Sequence, residues 1–340
     1  VEKLSDTPIR LGFDSYSIRD FHWRDIELLD YAASLKLDTI QLSGLDDYQS
    51  LEPAHLAKVK DHAARVGIAI DAGIGCICPL SKGWSASHGT PAEYLVKGLR
   101  VAKAVGAPSM RCYLGGFGDR PNLDRCMEAT IQALRSVRSQ ALDMGVRIAI
   151  ENHAGDMQAR ETKMLIEEAG QDFVGSCLDS GNPMWVVEDP LVTLDTLAPY
   201  VVTTHIRDSA VCEHPRGATA QWVALGDGSV DFKRFVELYR KLCPKAGMQL
   251  EIITGRPPTV LAYLEPDFWR VFPHAVAWEF ARFVELAKSG HPYLGTMVIG
   301  GPGEQSPELK AALREQQRTD LERSLEYAKK VLDVGVRWRG

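Results

Sequence analysis

Short apolar runs alternate with longer amphipathic ones from residue 9 to about residue 252, and this alternation restricts the fold more than any other feature of the chain. A brief apolar run fits a strand buried on both faces, and apolar residues recurring at three and four fit a helix laid over it. The runs at 9–14, 39–43, 69–74, 109–114, 147–152, 174–178, 201–205 and 248–253 read as eight strands. Between them, 23–35, 53–66, 91–105, 123–144 and 231–241 read as helices. The punctuation agrees. Thr90-Pro91-Ala92-Glu93 offers a cap hydroxyl, a proline at the first helical position and a carboxylate three residues after the cap. Asp189-Pro190 and Ser306-Pro307 repeat the cap and the proline, while Gly67, Gly106 and Gly145 stand where a left-handed residue stops a helix before the next strand.

Eight such units over roughly 250 residues match a (β/α)8 barrel, an α/β fold. A doubly wound open sheet usually has fewer strands and a glycine-rich first turn, and no G-x-G-x-x-G follows the first strand here. Residues 255–305 are too long for an ordinary connection and carry Pro257, Pro258, Pro266, Pro273, Pro292 and Pro302 among aromatic residues, so they read as an extended segment after strand eight, an elaborated loop or lid. A charged amphipathic helix over about 306–334 should close the barrel. No shift in composition marks a boundary, which makes 1–340 a single domain on this reading.

A formal charge of -6 and a pI near 5.9 do not favour a polyanion, so no nucleic-acid partner is expected. Seven cysteines form no paired framework, and Cys76-Ile77-Cys78-Pro79 lacks the two-residue spacer of a thioredoxin-type site, so these thiols are read as structural in a reducing cytoplasm. No uncharged run of about eighteen apolar residues occurs, which gives no membrane anchor. The opening Val1-Glu2-Lys3-Leu4-Ser5-Asp6 lacks a signal-peptide core; a leader removed ahead of Val1 stays open.

In a barrel of this kind, chemistry gathers where the strands end. The last four strands end in Glu151, Asp179, His205 and Glu251. One carboxylate leaving a strand is ordinarily a solvated loop residue or a helix cap. Three of them buried together repel one another unless a cation compensates, and a neutral imidazole completes its shell. Three oxygens and one nitrogen suit one divalent ion, manganese foremost, with magnesium, cobalt or zinc as alternatives. Open positions on such an ion suit the vicinal carbonyl and hydroxyl oxygens of a sugar, whose developing enediolate it stabilises. Glu151 and Glu251 are then the pair that moves protons beside the carbonyl.

The ordered Glu151, Asp179, His205, Glu251, together with His205-Ile206-Arg207-Asp208 and Leu225-Gly226-Asp227-Gly228-Ser229-Val230-Asp231-Phe232, resembles the sugar phosphate isomerase/epimerase family, the xylose isomerase-like TIM barrels. The resemblance spans about residues 9–252. It implies that the four residues bind one divalent metal, often manganese, and that the two glutamates act as acid and base in ketose epimerisation or aldose–ketose isomerisation. Asn182 stands where ketose 3-epimerases of the group have a histidine, and Val211 where they have an arginine. The endonuclease IV branch, with three zinc ions, needs more ligands than Gln41-Leu42-Ser43 and Ala72-Gly73-Ile74 supply. Another branch resembles enzymes that cleave 3-keto-glycosides, where the same proton abstraction ends in loss of the aglycone. A non-catalytic sugar-binding subunit of a heteromer, or a homo-oligomer, also stays open.

The remaining candidates are substrate-facing positions: His153, Arg207, Asn182, Arg111 and Tyr113. Arg111 and Tyr113, two apart on a strand, point to one face, where a guanidinium could hold an anionic group. Each has a structural alternative: a rim arginine in an ion pair, or a loop histidine satisfying backbone. Asp208 ties down a loop or orients substrate, Gly226 and Gly228 read as turn chemistry, and Trp222, Phe268, Trp269 and Phe272 either line a sugar or aglycone pocket or pack the long segment onto the barrel.

Overall fold

The computed structural model describes residues 8–301 and 303–340; the first six residues, on which the signal-peptide reading rests, and Pro302 lie outside it. In chain order the strands are β1 (Leu11–Asp14), β2 (Thr39–Leu42), β3 (Ala69–Cys76), β4 (Ser109–Tyr113), β5 (Arg147–Glu151), β6 (Val174–Asp179), β7 (Val201–His205), β8 (Asp208–His214), β9 (Gly217–Val223), β10 (Met248–Leu250) and β11 (Thr259–Leu261). Eight of them form one parallel sheet in the order β10-β1-β2-β3-β4-β5-β6-β7. The ring closes where Ile206, just past β7, donates its N–H to the Gln249 carbonyl at 2.7 Å and bridges Leu250. This is a (β/α)8 barrel.

The helices are α1 (Asp25–Ser34), α2 (Pro53–Val66), α3 (Pro91–Val105), α4 (Leu123–Ser136), α5 (Arg138–Met144), α6 (Ala159–Ala169), α7 (Pro190–Leu197), α8 (Phe232–Leu242), α9 (Ala277–Ser289) and α10 (Pro307–Lys330). Thr90 caps α3 as its sequence predicts: its Oγ1 accepts from the Glu93 N–H, and Glu93 accepts the Thr90 N–H at 2.7 Å. Gly67 and Gly106 end α2 and α3 at φ 72° and 81°, a backbone that other residues adopt only with strain. The final helix runs along the seam of the barrel, with Leu321 and Leu325 buried and the Ser324 hydroxyl accepting from the Leu225 N–H.

The structure corrects the sequence reading in four places. The helix expected over 123–144 is two, because the buried Val137 leaves helical geometry at φ -112° and ψ 11°, and α5 turns to pack against α3. β1 starts at Leu11 rather than at residue 9, and β10 ends at Leu250 rather than at residue 253. An antiparallel hairpin, β8 and β9, follows β7 and takes β11 as a third strand. Residues 255–305 are also more regular than a loop, containing β11, a 3-10 turn at Pro266–Val271 and α9.

Away from the strand ends, the interior holds a polar layer: Gln249 Nε2 donates to Thr39 Oγ1 at 2.7 Å and to Asp71 Oδ2 at 2.9 Å, and Thr203 also donates to Asp71. Outside the sheet, Glu188 is 1% exposed and accepts from the Ala159 N–H at the start of α6 and from the Thr193 hydroxyl. Burial pushes its carboxyl up to about 7 against those hydrogen bonds, and burial does the same to Asp208. A raised carboxyl favours the protonated folded state, so its contribution is fully present below the usual glutamate range and is lost as pH rises through about 7. The melting temperature should therefore fall between pH 5 and pH 8, and the Glu188→Gln variant should lose about 3 °C less over that interval. Parallel melting curves for the two proteins would contradict this.

Candidate metal centre

Parallel strands of similar length end on one rim, so their last side chains converge. Glu151, Asp179 and His205 are the last residues of β5, β6 and β7, and Glu251 directly follows β10. One ligand atom from each lies within 4.8 Å of all the others, and all four residues are buried. Cys177 shares part of this cluster with Glu151 and His205, but burial pushes its thiol well up, which keeps the proton on sulfur and makes it the poorer ligand.

Two buried atoms define where a cation would sit. His205 Nε2 meets the Gln41 Oε1 in a close hydrogen bond, and Gln41 Nε2 is turned the other way, donating to Thr203. That orientation makes Nε2 the donor and leaves Nδ1 facing Glu151 Oε1 and Glu251 Oε2, each at 3.3 Å. Nδ1 has no hydrogen-bond partner among the described residues. Glu251 Oε2 has none of good alignment either, although Arg207 Nη2 lies 2.7 Å away. A buried lone pair aimed at two carboxylate oxygens, of which Glu251 Oε2 is unpartnered, fits a divalent ion.

The charges agree with that fit. Burial alone would raise Glu151, yet the Arg111 guanidinium and His205 outweigh it and hold the carboxyl well below the usual range. Burial lifts Asp179 to about 6 in spite of Arg207. Burial opposes ionisation of Glu251 too, but Arg207 and His205 bring it down to about 2. For His205, burial disfavours charge, and Cys177, Glu251, Glu151 and Asp14 reverse the balance. The surroundings stabilise positive charge at this point, so a proton on Nδ1 and a metal ion compete for one place.

Arg111 and Arg207 lie deeper than rim arginines. Arg111 Nε donates to Glu151 Oε2 at 2.5 Å. Arg207 Nε donates to Asp179 Oδ2 at 2.6 Å while its Nη2 reaches Glu151 Oε1 at 3.3 Å. Asn182 is buried behind the ligands; its Nδ2 donates to Glu151 Oε1 at 3.2 Å and to the Asn152 carbonyl, and its N–H donates to Asp179 Oδ1. Asp208 accepts from the N–H groups of Gly226 and Gly228, both at 3.0 Å, and thereby holds the glycine turn that follows β9.

Above the cluster opens a cleft of about 610 Å³, lined among others by Arg111, Tyr113, His153, Arg207, Trp222 and Glu251. The Tyr113 and His153 rings stack at 3.9 Å, and Arg111 lies 4.7 Å from the Tyr113 centroid. His153 Nδ1 meets the Gly115 carbonyl at 2.6 Å and is therefore the donor, which leaves Nε2 as the basic nitrogen; burial lowers its pKa and keeps it neutral. The hairpin brings Trp222 opposite Ser209, where its ring pairs with Trp185 at 4.4 Å and faces Arg207. Phe268, Trp269 and Phe272 form an aromatic cluster with Phe280 within the 255–305 segment.

Gln41 gains a role the sequence reading did not give it, and Trp222, read as lining a pocket or packing the long segment, stands on the cleft wall. Gln41 carried a signal, a polar residue inside the apolar Thr39-Ile40-Gln41-Leu42, buried with no exposed surface. Trp222 depends on a hairpin whose turn, His214-Pro215-Arg216-Gly217, is visible in the sequence.

The family model described as "Xylose isomerase-like TIM barrel" matches residues 29–265. Among curated proteins the chain is similar to 3-oxo-isoapionate decarboxylase of Pectobacterium atrosepticum, 22% identical over 207 residues, which cover 60% of this chain and 69% of that one. A structure of D-psicose 3-epimerase in the presence of D-fructose superposes with a TM-score of 0.60 at 16% identity, covering 95% of this chain and 99% of that one. One of 3-keto-D-glucoside 4-epimerase from E. coli does so with a TM-score of 0.55 at 15% identity, covering 72% and 92%. At these identities the structural likeness shows the fold.

Proposed function

Because the chain belongs to the xylose isomerase-like TIM barrel family, we propose that it is a divalent-metal-dependent enzyme that moves a proton at the carbon beside a carbonyl of a sugar derivative, with isomerisation or epimerisation as the net reaction. The observation that carries this reading is the unpartnered His205 Nδ1 facing Glu151 and Glu251 inside a buried set of three carboxylates. Glu151, Asp179, His205 and Glu251 would hold the ion, manganese by preference. When bound, it supplies Lewis-acid polarisation of the carbonyl.

The chain's own groups divide the remaining work. Glu251 lines the cleft and is ionised, which suits it to take the proton. Glu151 is the second glutamate of the acid–base pair, but both its oxygens are engaged, one by Arg111 and the other by Asn182 and Arg207. His153, neutral and on the cleft wall with Nε2 as its basic nitrogen, is the better-placed second base. Two guanidinium groups stand against the carboxylates of Glu151, Asp179, Glu251 and Asp14 here, so a divalent ion would offset the remaining negative charge and allow an enediolate to form.

Incubating the manganese-loaded protein with ketoses in D2O tests this: solvent deuterium should enter beside the carbonyl, and the Glu251→Gln variant should incorporate none. No exchange with any keto sugar, metal being bound, would remove the proposal. A second reading, proton abstraction beside a 3-keto group followed by loss of an aglycone, is favoured by the cleft, which is larger than one pyranose needs and has Trp222 on its wall. Aglycone release from 3-keto-glycosides decides for it, and sugar binding with turnover only after a second chain is added decides for an accessory subunit.

A further inference from the structure

Beside the metal cleft lies a second and larger cavity, about 810 Å³, between the turn that follows β1, the segment after β10 and the first turns of α10. Arg256 lines both cavities and so marks where they adjoin. Arg19, Arg256, Lys310 and Arg314 all line the second cavity, and Asp20 is the sole carboxylate among its lining residues. None of the four basic groups makes an ion pair with a carboxylate among the described residues, whereas both arginines of the metal cleft do. Their fixed contacts are of another kind: Arg19 Nη1 donates to the Tyr16 carbonyl at 3.1 Å, Arg256 faces Trp222 and Arg314 faces Phe21. The chain as a whole carries a formal charge of -6, so this concentration of uncompensated positive charge runs against its overall balance. A concave site lined by one sign of charge focuses the field and draws a ligand of the opposite sign.

We propose that this cavity is an annex of the metal cleft that takes an oxyanion carried by the substrate, a carboxylate, phosphate or sulfate remote from the reacting carbon, with Arg256 bridging the two compartments. The proposal rests on the function proposed above for the cleft and adds the substrate class, an anionic rather than a neutral keto sugar. Arginine favours this role because its planar fork pairs two oxygens of such a group at once.

Binding to the annex is separable from chemistry, so the test uses chelated Glu251→Gln protein and calorimetry at low salt. The probes are D-glucose 6-phosphate, D-glucuronate, D-glucose 6-sulfate and D-glucose as the neutral member. At least one anionic probe should bind about tenfold or more tightly than glucose, and the ranking among the three names the oxyanion. The Lys310→Gln/Arg314→Gln variant should lose that advantage, and raised salt should erode it in the unsubstituted protein. If the double variant melts early, Lys310→Glu alone, at an exposed position, should weaken the anionic probe and leave glucose unchanged. Equal affinity for all four probes, or a charge-reversed variant that binds as before, overturns the annex. Deuterium exchange with keto sugars is read independently, so its absence alongside intact anion binding would refute the proposed reaction and leave the annex standing.

Discussion

Glu251→Gln is expected to reduce kcat/KM by about 10³-fold or more while leaving the barrel folded. The substitution keeps the shape and removes one negative charge from a site with three, so the loss falls on two functions at once. As a ligand, the amide binds a hard cation more weakly than a carboxylate, and His205 Nδ1 loses one of the two carboxylates it faces at 3.3 Å. As a base, the amide cannot take a proton at all. Stability should change little, because Arg207 keeps Asp179 and Glu151 as partners. Metal content after dialysis against manganese, measured with kcat and KM on the same sample, separates the two functions. A fall in metal content that excess manganese repairs, with turnover still absent, assigns Glu251 to the proton; recovery of turnover confines it to holding the ion. Unchanged activity would remove Glu251 from the mechanism altogether.

The barrel was legible in the chain because each β/α unit carries its own local signals. The strands are apolar runs, Thr90 to Glu93 caps a helix, and Gly67 and Gly106 end theirs, so little long-range information is needed. The four converging strand ends were legible for the same reason: once a barrel is read, the last residue of each strand is a position in space. What escaped depends on contacts between distant segments. Gln41 orients His205 across 164 positions of sequence, and no local pattern links the two. Arg207 reads as a residue after a ligand, and only the fold shows its guanidinium spanning the carboxylates of Glu151, Asp179 and Glu251. The break at Val137 has no proline or glycine to announce it; it follows from the packing of α5 against α3. In 255–305 the six prolines suggested irregularity, but they fall outside α9 and leave Ala277–Ser289 free to form a helix with Phe283 and Ala287 buried.

Arg120 shows how that segment is held, and its removal carries the second large effect. The side chain is fully buried. Its Nη1 and Nη2 donate to the two oxygens of Glu161 at 3.1 and 3.0 Å, its Nη1 also donates to the Asp156 carbonyl at 2.8 Å, and its Nε donates to the Val271 carbonyl at 2.9 Å. The guanidinium also lies 4.0 Å from the Phe272 ring centroid. One residue thus joins the loop after β4, the start of α6 and the 3-10 turn beyond β11. Arg120→Ala leaves the Glu161 carboxylate buried without its counter-charge, which costs about 3–5 kcal/mol, or roughly 5 °C in melting temperature for a chain of this length. Arg120→Met with Glu161→Gln removes both charges and fills the space, so it should recover most of that loss. The double variant still lacks the donor to Val271. Limited proteolysis should therefore cut both variants first near residues 264–276, while the unsubstituted protein resists there. If Arg120→Ala melts within about 1 °C of the original, the buried pair contributes little net stability and the aromatic cluster holds the segment without it. If only the double variant stays resistant to the protease, the tie runs through Glu161 and not through the Val271 carbonyl.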